Sequence, residues 1–418
     1  MVSKATEAKS AKEITEPATS TKASGLSSTW LMAAAAVVVL AAAMFFYQSP
    51  TTDIAQSKLS DRSTRFIDWM RAKGIDHSGT RIVELGGENR DVLASAEFRI
   101  DDIVMKVPHT ATVHDALAKE TDPNVAAYVR KYPKTDWVSI IAAYILLNRN
   151  NPQWKDYFDF LPAQFYTPIY WSAEELELLK GTDLGMDVER LRDEIQGEWH
   201  QWQAFVPQPF TLESFIWAWH CVMSRAWTLP VGDGRNKAVL IPMVDVANHH
   251  GKPKVKIEYN KKLGAVTMTA TQSISPEDQI DVTYGDDSSY KLLKYMGFTI
   301  PDNDHNEDCR VRIFREGADP PAYHIPRRWC LFHVNKLDRT LRDCHLGVPM
   351  DWAVLRRVLT AVQEKERGYP TTVEEDEALL AEAVHSFNFV NAVRERRGEK
   401  ACLRAVATRL DKVLKPKK

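Results

Sequence analysis

The chain lacks a C-x-x-C pair. Its five cysteines, Cys221, Cys309, Cys330, Cys344 and Cys402, are scattered through 418 residues. Such spacing argues against a thiolate zinc site and against a secreted disulfide scaffold, so reduced thiols and no metal are expected. An excess of one charge is also missing. The formal net charge of −2 offers no general attraction for nucleic acid, and no nucleic-acid partner is expected. Large apolar side chains are nearly absent from residues 1–28, which are rich in Ser, Thr, Ala, Lys and Glu. Such a tail cannot offset its ordering entropy and is expected to be disordered.

Charge is missing altogether from Trp30 to Tyr47, "WLMAAAAVVVLAAAMFFY". At about 1.5 Å per residue this run reaches about 27 Å, enough to cross a hydrocarbon core, and aromatic residues stand at both ends. The reading is a single transmembrane anchor over 29–48, with a linker over 49–60. Lys58, Arg62 and Arg65 follow the run, whereas Lys12 and Lys22 precede it. This places the long carboxy-terminal part on the cytosolic side of a single-pass membrane protein.

Beyond the linker the patterning alternates between two periods. "RSTRFIDWMRAKG" reads as a short helix ended by Gly74. "RIVELGGENRDVLASAEFRIDDIVMKVP" reads as strand, turn at Gly86-Gly87, strand, and strand again. From about 111 to 235 the period is mostly helical. Short strands return at "AVLIPMVDV", "VKIEY", "AVTMTA" and "QIDVTYG". From about 300 onward the pattern turns helical, and Thr372 with Glu375 forms a capping box. Strands therefore frame a helical insertion, and a helical region follows them.

"IPMVDVANHH", Ile241–His250, begins as a burying apolar run and ends in polar groups that need partners. Its D-x-x-N-H pattern resembles a segment of SET-domain protein methyltransferases. "ISPEDQIDVTYGDDSSYKLLKYMGF", Ile274–Phe298, is similar to that domain's strand, tyrosine-glycine turn, helix and Gly-Phe ending. "FLPAQFYTPIYWSAEELELLKG" and "YPTTVEEDEALL…NAVRERRGEK" resemble the helical insertion and the carboxy-terminal helical domain of the Rubisco-methyltransferase-like SET family. The likeness runs from about residue 60 to the end. It implies an α+β SET-type fold of small β-sheets over 61–298, with the insertion at about 111–235. An all-helical substrate-binding domain over 299–418 would follow, with the transmembrane helix in front.

The resemblance also implies S-adenosylmethionine as cofactor and a protein substrate, with lysine the expected acceptor and histidine the alternative. Asn248 would meet the amino-acid end of the cofactor and the backbone near His249 the adenine, while Asp245 would orient the loop. Tyr284 would face the transferred methyl as the catalytic residue. Arg225 would brace the ligand carboxylate, and Gly297 and Phe298 would lie on the cofactor side. Ser224, Trp227 and Met296 are assigned to the acceptor channel. One departure stands out. Where the family has a G-x-G turn, this chain has "ENRDV", with Asn89 and Asp91 in place of the glycines. Asn and Asp tolerate a left-handed conformation better than other side chains, so Glu88, Asn89 and Arg90 are still expected to present backbone to the cofactor. A SET-like scaffold that holds a protein partner without turnover is the rival reading.

Overall fold

The computed structural model describes residues 59–208, 210–304, 306–312, 322–326, 352–382 and 385–415. Ser60 accepts the Ser63 amide and opens α1 (Asp61–Ala72), which buries Phe66, Trp69 and Met70. β1 (Thr80–Gly86) and β2 (Asn89–Ala94) pair as an antiparallel hairpin. β3 (Ile103–Pro108) and the short β4 (Val113–His114) lead into the insertion. It comprises α2 (Asp115–Thr121), α3 (Pro123–Lys131), α4 (Trp137–Asn148), α5 (Lys155–Phe160), α6 (Ala173–Glu177), α7 (Asp183–Trp202) and α8 (Leu212–Met223). Side chains cap these helices at Asp122, Asp136, Ser172, Thr182 and Thr211, satisfying amides that the first turn leaves unpaired. α4 is buried along most of its length, at the centre of the main core.

β5 (Trp227–Leu229), β6 (Lys237–Leu240), β7 (Val255–Asn260) and β8 (Ala265–Ala270) complete two three-stranded sheets, ordered β4-β6-β5 and β3-β8-β7. α9 (Ser289–Met296) ends on Gly297 at a φ of 84°. β9 (Asp308–Arg312) pairs with β10 (Ala322–Pro326), and α10 (Trp352–Arg367), α11 (Val373–Ala381) and α12 (Phe387–Leu414) finish the chain. The capping box at Thr372 and Glu375 opens α11.

Four expectations need correction. First, no helix of the described residues is long and apolar enough to cross a membrane. The expected span Trp30–Tyr47 lies outside the described residues, and the single-pass membrane assignment is withdrawn. Second, the region after 299 is not all helical. Cys309 and Val311 alternate inward along β9 while Arg310 turns to Asp187, so period-2 patterning makes a hairpin there. Third, "QIDVTYG" is not a continuous ladder strand. It threads between two segments: Ile280 N donates to Val92 O, Val282 N to Asn248 O, and His250 N to Val282 O. Fourth, Cys309 and Cys402 are not free thiols. They form a disulfide between β9 and α12, with Cα atoms 5.9 Å apart.

Candidate cofactor site

The site begins with a strained residue. Met243 is fully buried yet takes a φ of 74°, rare for a side chain other than glycine. This reverses the chain after β6 and starts a 3-10 turn, Val244–Val246, that drives Asp245 inward. The buried Tyr157 hydroxyl donates to Asp245 Oδ2. Burial pushes the Asp245 carboxyl up to about 6, opposed by the Tyr157 hydrogen bond and the Arg225 charge. The opening polar cluster thus has internal partners.

Asn248 is held from the β1–β2 hairpin. Its Nδ2 donates to Arg90 O at 3.0 Å and to the Asp91 carboxylate, which also accepts from Gln279 Nε2 at 3.1 Å. This revises the reading of the missing G-x-G turn. Neither Asn89 nor Asp91 has a positive φ; the left-handed positions fall on Gly86 and Gly87, at 101° and 60°. Asp91 therefore lies in strand geometry, and its carboxylate fastens the Asn248 loop to β2. Burial raises the pKa of Asp91, and the Asn248 hydrogen bond opposes that rise.

His249 and Tyr284 are linked twice. The Tyr284 amide donates to His249 Nδ1 at 2.9 Å, which makes Nδ1 the acceptor and puts the ring proton of the neutral imidazole on Nε2. Burial lowers the pKa of His249, and the neighbouring His250 charge adds to that. The Tyr284 hydroxyl donates to Ala247 O at 2.9 Å. Burial pushes the Tyr284 phenol up to about 12, so it stays a protonated donor at neutral pH. Arg225 donates to Ser224 Oγ at 2.7 Å, and its guanidinium lies 5.8 Å from the centre of the Phe165 ring.

These groups line one cleft of about 450 Å³. Its walls include Glu88, Asn89, Arg90, Ser224, Arg225, Asp245, Asn248, His249, Tyr284, Met296, Gly297 and Phe298. Thus every site residue named from the sequence is brought together here except Trp227. Trp227 sits in β5, opposite Val239, half-buried against the main core and outside the cleft lining. The sequence reading missed Tyr157, Phe165, Tyr166 and Phe387, which also line the cleft. Phe165 and Tyr166 belong to an aromatic-rich connection that carried the family likeness but no spacing that singles out a residue, and Tyr157 lies just before it in α5. Phe387 opens a helix far away in sequence and left no local signal.

The cleft gathers chemically distinct groups. Arg225, Asp245 and Asn248 offer a cation, a carboxylate and an amide. Phe298 lies within ring-contact range of His249 and Tyr284, with centroids 6.2 and 6.3 Å away. A ligand with a zwitterionic amino-acid end and a flat heterocyclic end matches both. The volume lies within the range of small-ligand sites.

Residues 265–403 match the family described as Rubisco LSMT substrate-binding. The ribulose-1,5 bisphosphate carboxylase/oxygenase large subunit N-methyltransferase of Nicotiana tabacum is 25% identical, covering 84% of this chain and 82% of that protein. The actin-histidine N-methyltransferase of Mus musculus is 23% identical, covering 83% and 68%. Among solved structures, the SET domain of LSMT bound to lysine and AdoHcy superposes with a TM-score of 0.69 at 20% identity, covering 85% of this chain and 92% of that one. The fold is therefore that of a SET protein. In its matched carboxy-terminal segment and in its likeness to the tobacco enzyme, the chain resembles the Rubisco-methyltransferase-like SET proteins.

Proposed function

We propose that this protein is an S-adenosylmethionine-dependent protein methyltransferase whose acceptor is a lysine side chain. The observation that carries the reading is the convergence of Arg225, Asp245, Asn248, His249 and Tyr284 on one cleft. The tobacco relative and the LSMT structures bound to AdoHcy and AdoMet support the cofactor and a protein substrate. When bound, the cofactor supplies an electrophilic methyl on a sulfonium. Arg225 would hold its carboxylate, and Asp245 would balance its ammonium. Phe298 would take the purine.

What remains for the protein is alignment. Attack on a sulfonium methyl requires nucleophile, carbon and sulfur on one axis, and positioning of this kind contributes much of an enzyme's rate. Tyr284 is pinned at its amide by His249 and at its hydroxyl by Ala247. With its proton given to Ala247 O, the hydroxyl keeps lone pairs that would complement the positive charge on methyl hydrogens. A phenol raised to about 12 is no base at neutral pH, so the lysine must arrive neutral. Free lysine has a pKa of about 10.4; an apolar channel and an adjacent sulfonium both disfavour its ammonium form.

Histidine is the second reading of the acceptor, favoured by the actin-histidine relatives. Titration calorimetry with S-adenosylmethionine tests the reading at its base. Labelled-methyl transfer into lysate proteins, followed by mass spectrometry of the modified residue, tests the acceptor. Modified lysine supports the proposal and modified histidine replaces it. A protein that binds no cofactor and transfers no label is a partner-binding scaffold.

A further inference from the structure

Three of the large apolar side chains that stand exposed in this protein ring the same cleft: Leu85, Tyr166 and Phe387, at 46%, 46% and 54% exposure. Phe387 differs from the other two because it comes from the carboxy-terminal helices. It is the first residue of α12, and its exposure is not that of a loose end. Ser386 caps the helix by accepting the Phe389 amide. Asn388 Nδ2 donates to Glu175 at 2.7 Å, and Asn391 Oδ1 accepts both the amide and the hydroxyl of Thr299 at 2.7 Å. Ala392, one turn further on, is fully buried beside Trp171 and Leu179. The helix start is thus fastened on two sides while its first ring faces water.

That ring has a defined neighbourhood. It meets Tyr166 nearly edge-on, with centroids 5.4 Å apart. Tyr166 in turn lies against Gly297, where an added Cβ would come within 3.0 Å of the Tyr166 backbone. Phe298 follows directly and faces the same cleft. Phe298, Tyr166 and Phe387 therefore give the cleft a set of aromatic walls, two of them in edge-on contact. Aromatic rings stack on purines and gain when an exposed face leaves water.

Building on the proposed cofactor, we infer that Phe387 is a cofactor-binding residue. Its ring closes over the purine end of S-adenosylmethionine, so the cleft is completed by the carboxy-terminal helices. Cofactor occupancy is thereby felt at the start of α12. The exposed rim serves the small ligand rather than the protein substrate.

The test uses the full chain. Phe387→Ala should weaken S-adenosylmethionine binding about tenfold by calorimetry, within the range of base–aromatic stacking. Phe387→Trp should retain or tighten it. Neither should shift the melting temperature of the ligand-free protein, because the side chain is exposed. Cofactor should also slow hydrogen exchange at the amides of 387–391 in the parent, and less so in Phe387→Ala. If the parent binds cofactor and Phe387→Ala binds it equally well, the inference is overturned while the methyltransferase reading stands; a rise confined to the KM for protein substrate would then move the rim to the substrate. If the parent binds no cofactor, both fall together.

Discussion

Tyr284 and Asn248 show how differently two residues of one motif set are used. The Tyr284 hydroxyl makes one hydrogen bond, to Ala247 O. Tyr284→Phe removes it with almost no change in volume, so stability should fall by about 1 kcal/mol or less. Methyl transfer should fall more than tenfold, equivalent to about 1.4 kcal/mol of lost transition-state stabilisation. Cofactor affinity should hold. Single-turnover labelling alongside calorimetry separates these outcomes, and unchanged transfer would leave Tyr284 a structural residue. Asn248 does two jobs, because its amide also binds Arg90 O and the buried Asp91 carboxylate. Asn248→Ala should therefore lower cofactor affinity about tenfold and also lower stability by about 1–3 kcal/mol, the cost of stranding a buried polar group. Full cofactor affinity in a destabilised variant would confine Asn248 to the fold.

Among the elements, α9 ties the site to the carboxy-terminal helices. Ser288 occupies its N-cap position without a side-chain hydrogen bond. Glu307 takes over, accepting the Ser289 amide at 3.1 Å and the Ser289 hydroxyl. Burial nevertheless pushes the Glu307 carboxyl up to about 7, above the unfolded value of about 4.3. The folded state thus holds this proton more tightly than the unfolded chain. Its contribution is full below about pH 4.3 and is lost as pH rises through about 7. Glu307→Gln, which cannot ionise, should gain melting temperature relative to the parent between pH 5 and pH 8. A difference that stays flat or shrinks over that interval would rule out an ionising Glu307 in the fold.

On the scale of the whole molecule, buried ion pairs join the carboxy-terminal helices to the insertion. Lys365 on α10 pairs with Asp183 on α7 and with Glu399 on α12. Asp376 on α11 is fully buried between Arg396 and Lys400, and Arg396 also donates to Leu178 O at 3.1 Å. Removing one member of such a group leaves buried charge unpaired. Asp376→Ala should cost about 3–5 kcal/mol, seen as a lower denaturant midpoint with loss of the α11–α12 packing. A midpoint within experimental error of the parent would show that these charges are solvated in solution.

Much of the site could be read from residue order alone. The D-x-x-N-H segment, the tyrosine-glycine turn and the Gly-Phe ending are short contiguous signals, and their residues share a wall of the cleft. Helix starts were equally legible where a capping box marked them, as at Thr372. At the β1–β2 turn the amino acids themselves also determine where positive φ falls: Gly86-Gly87, rather than Asn89 and Asp91, takes it, because glycine adopts it without steric cost. Other features required the folded chain. That Asp91 fastens Asn248 depends on the fold bringing together two polar groups separated by 157 positions in the chain. That Phe387 reaches a cleft built around 88–298 depends on how α12 packs against α6 and Thr299. Local patterning is set by period and backbone sterics, which act over a few residues. Partnerships across long separations are set by burial and by the need of each buried polar group for a partner, and only tertiary packing decides which partner that is.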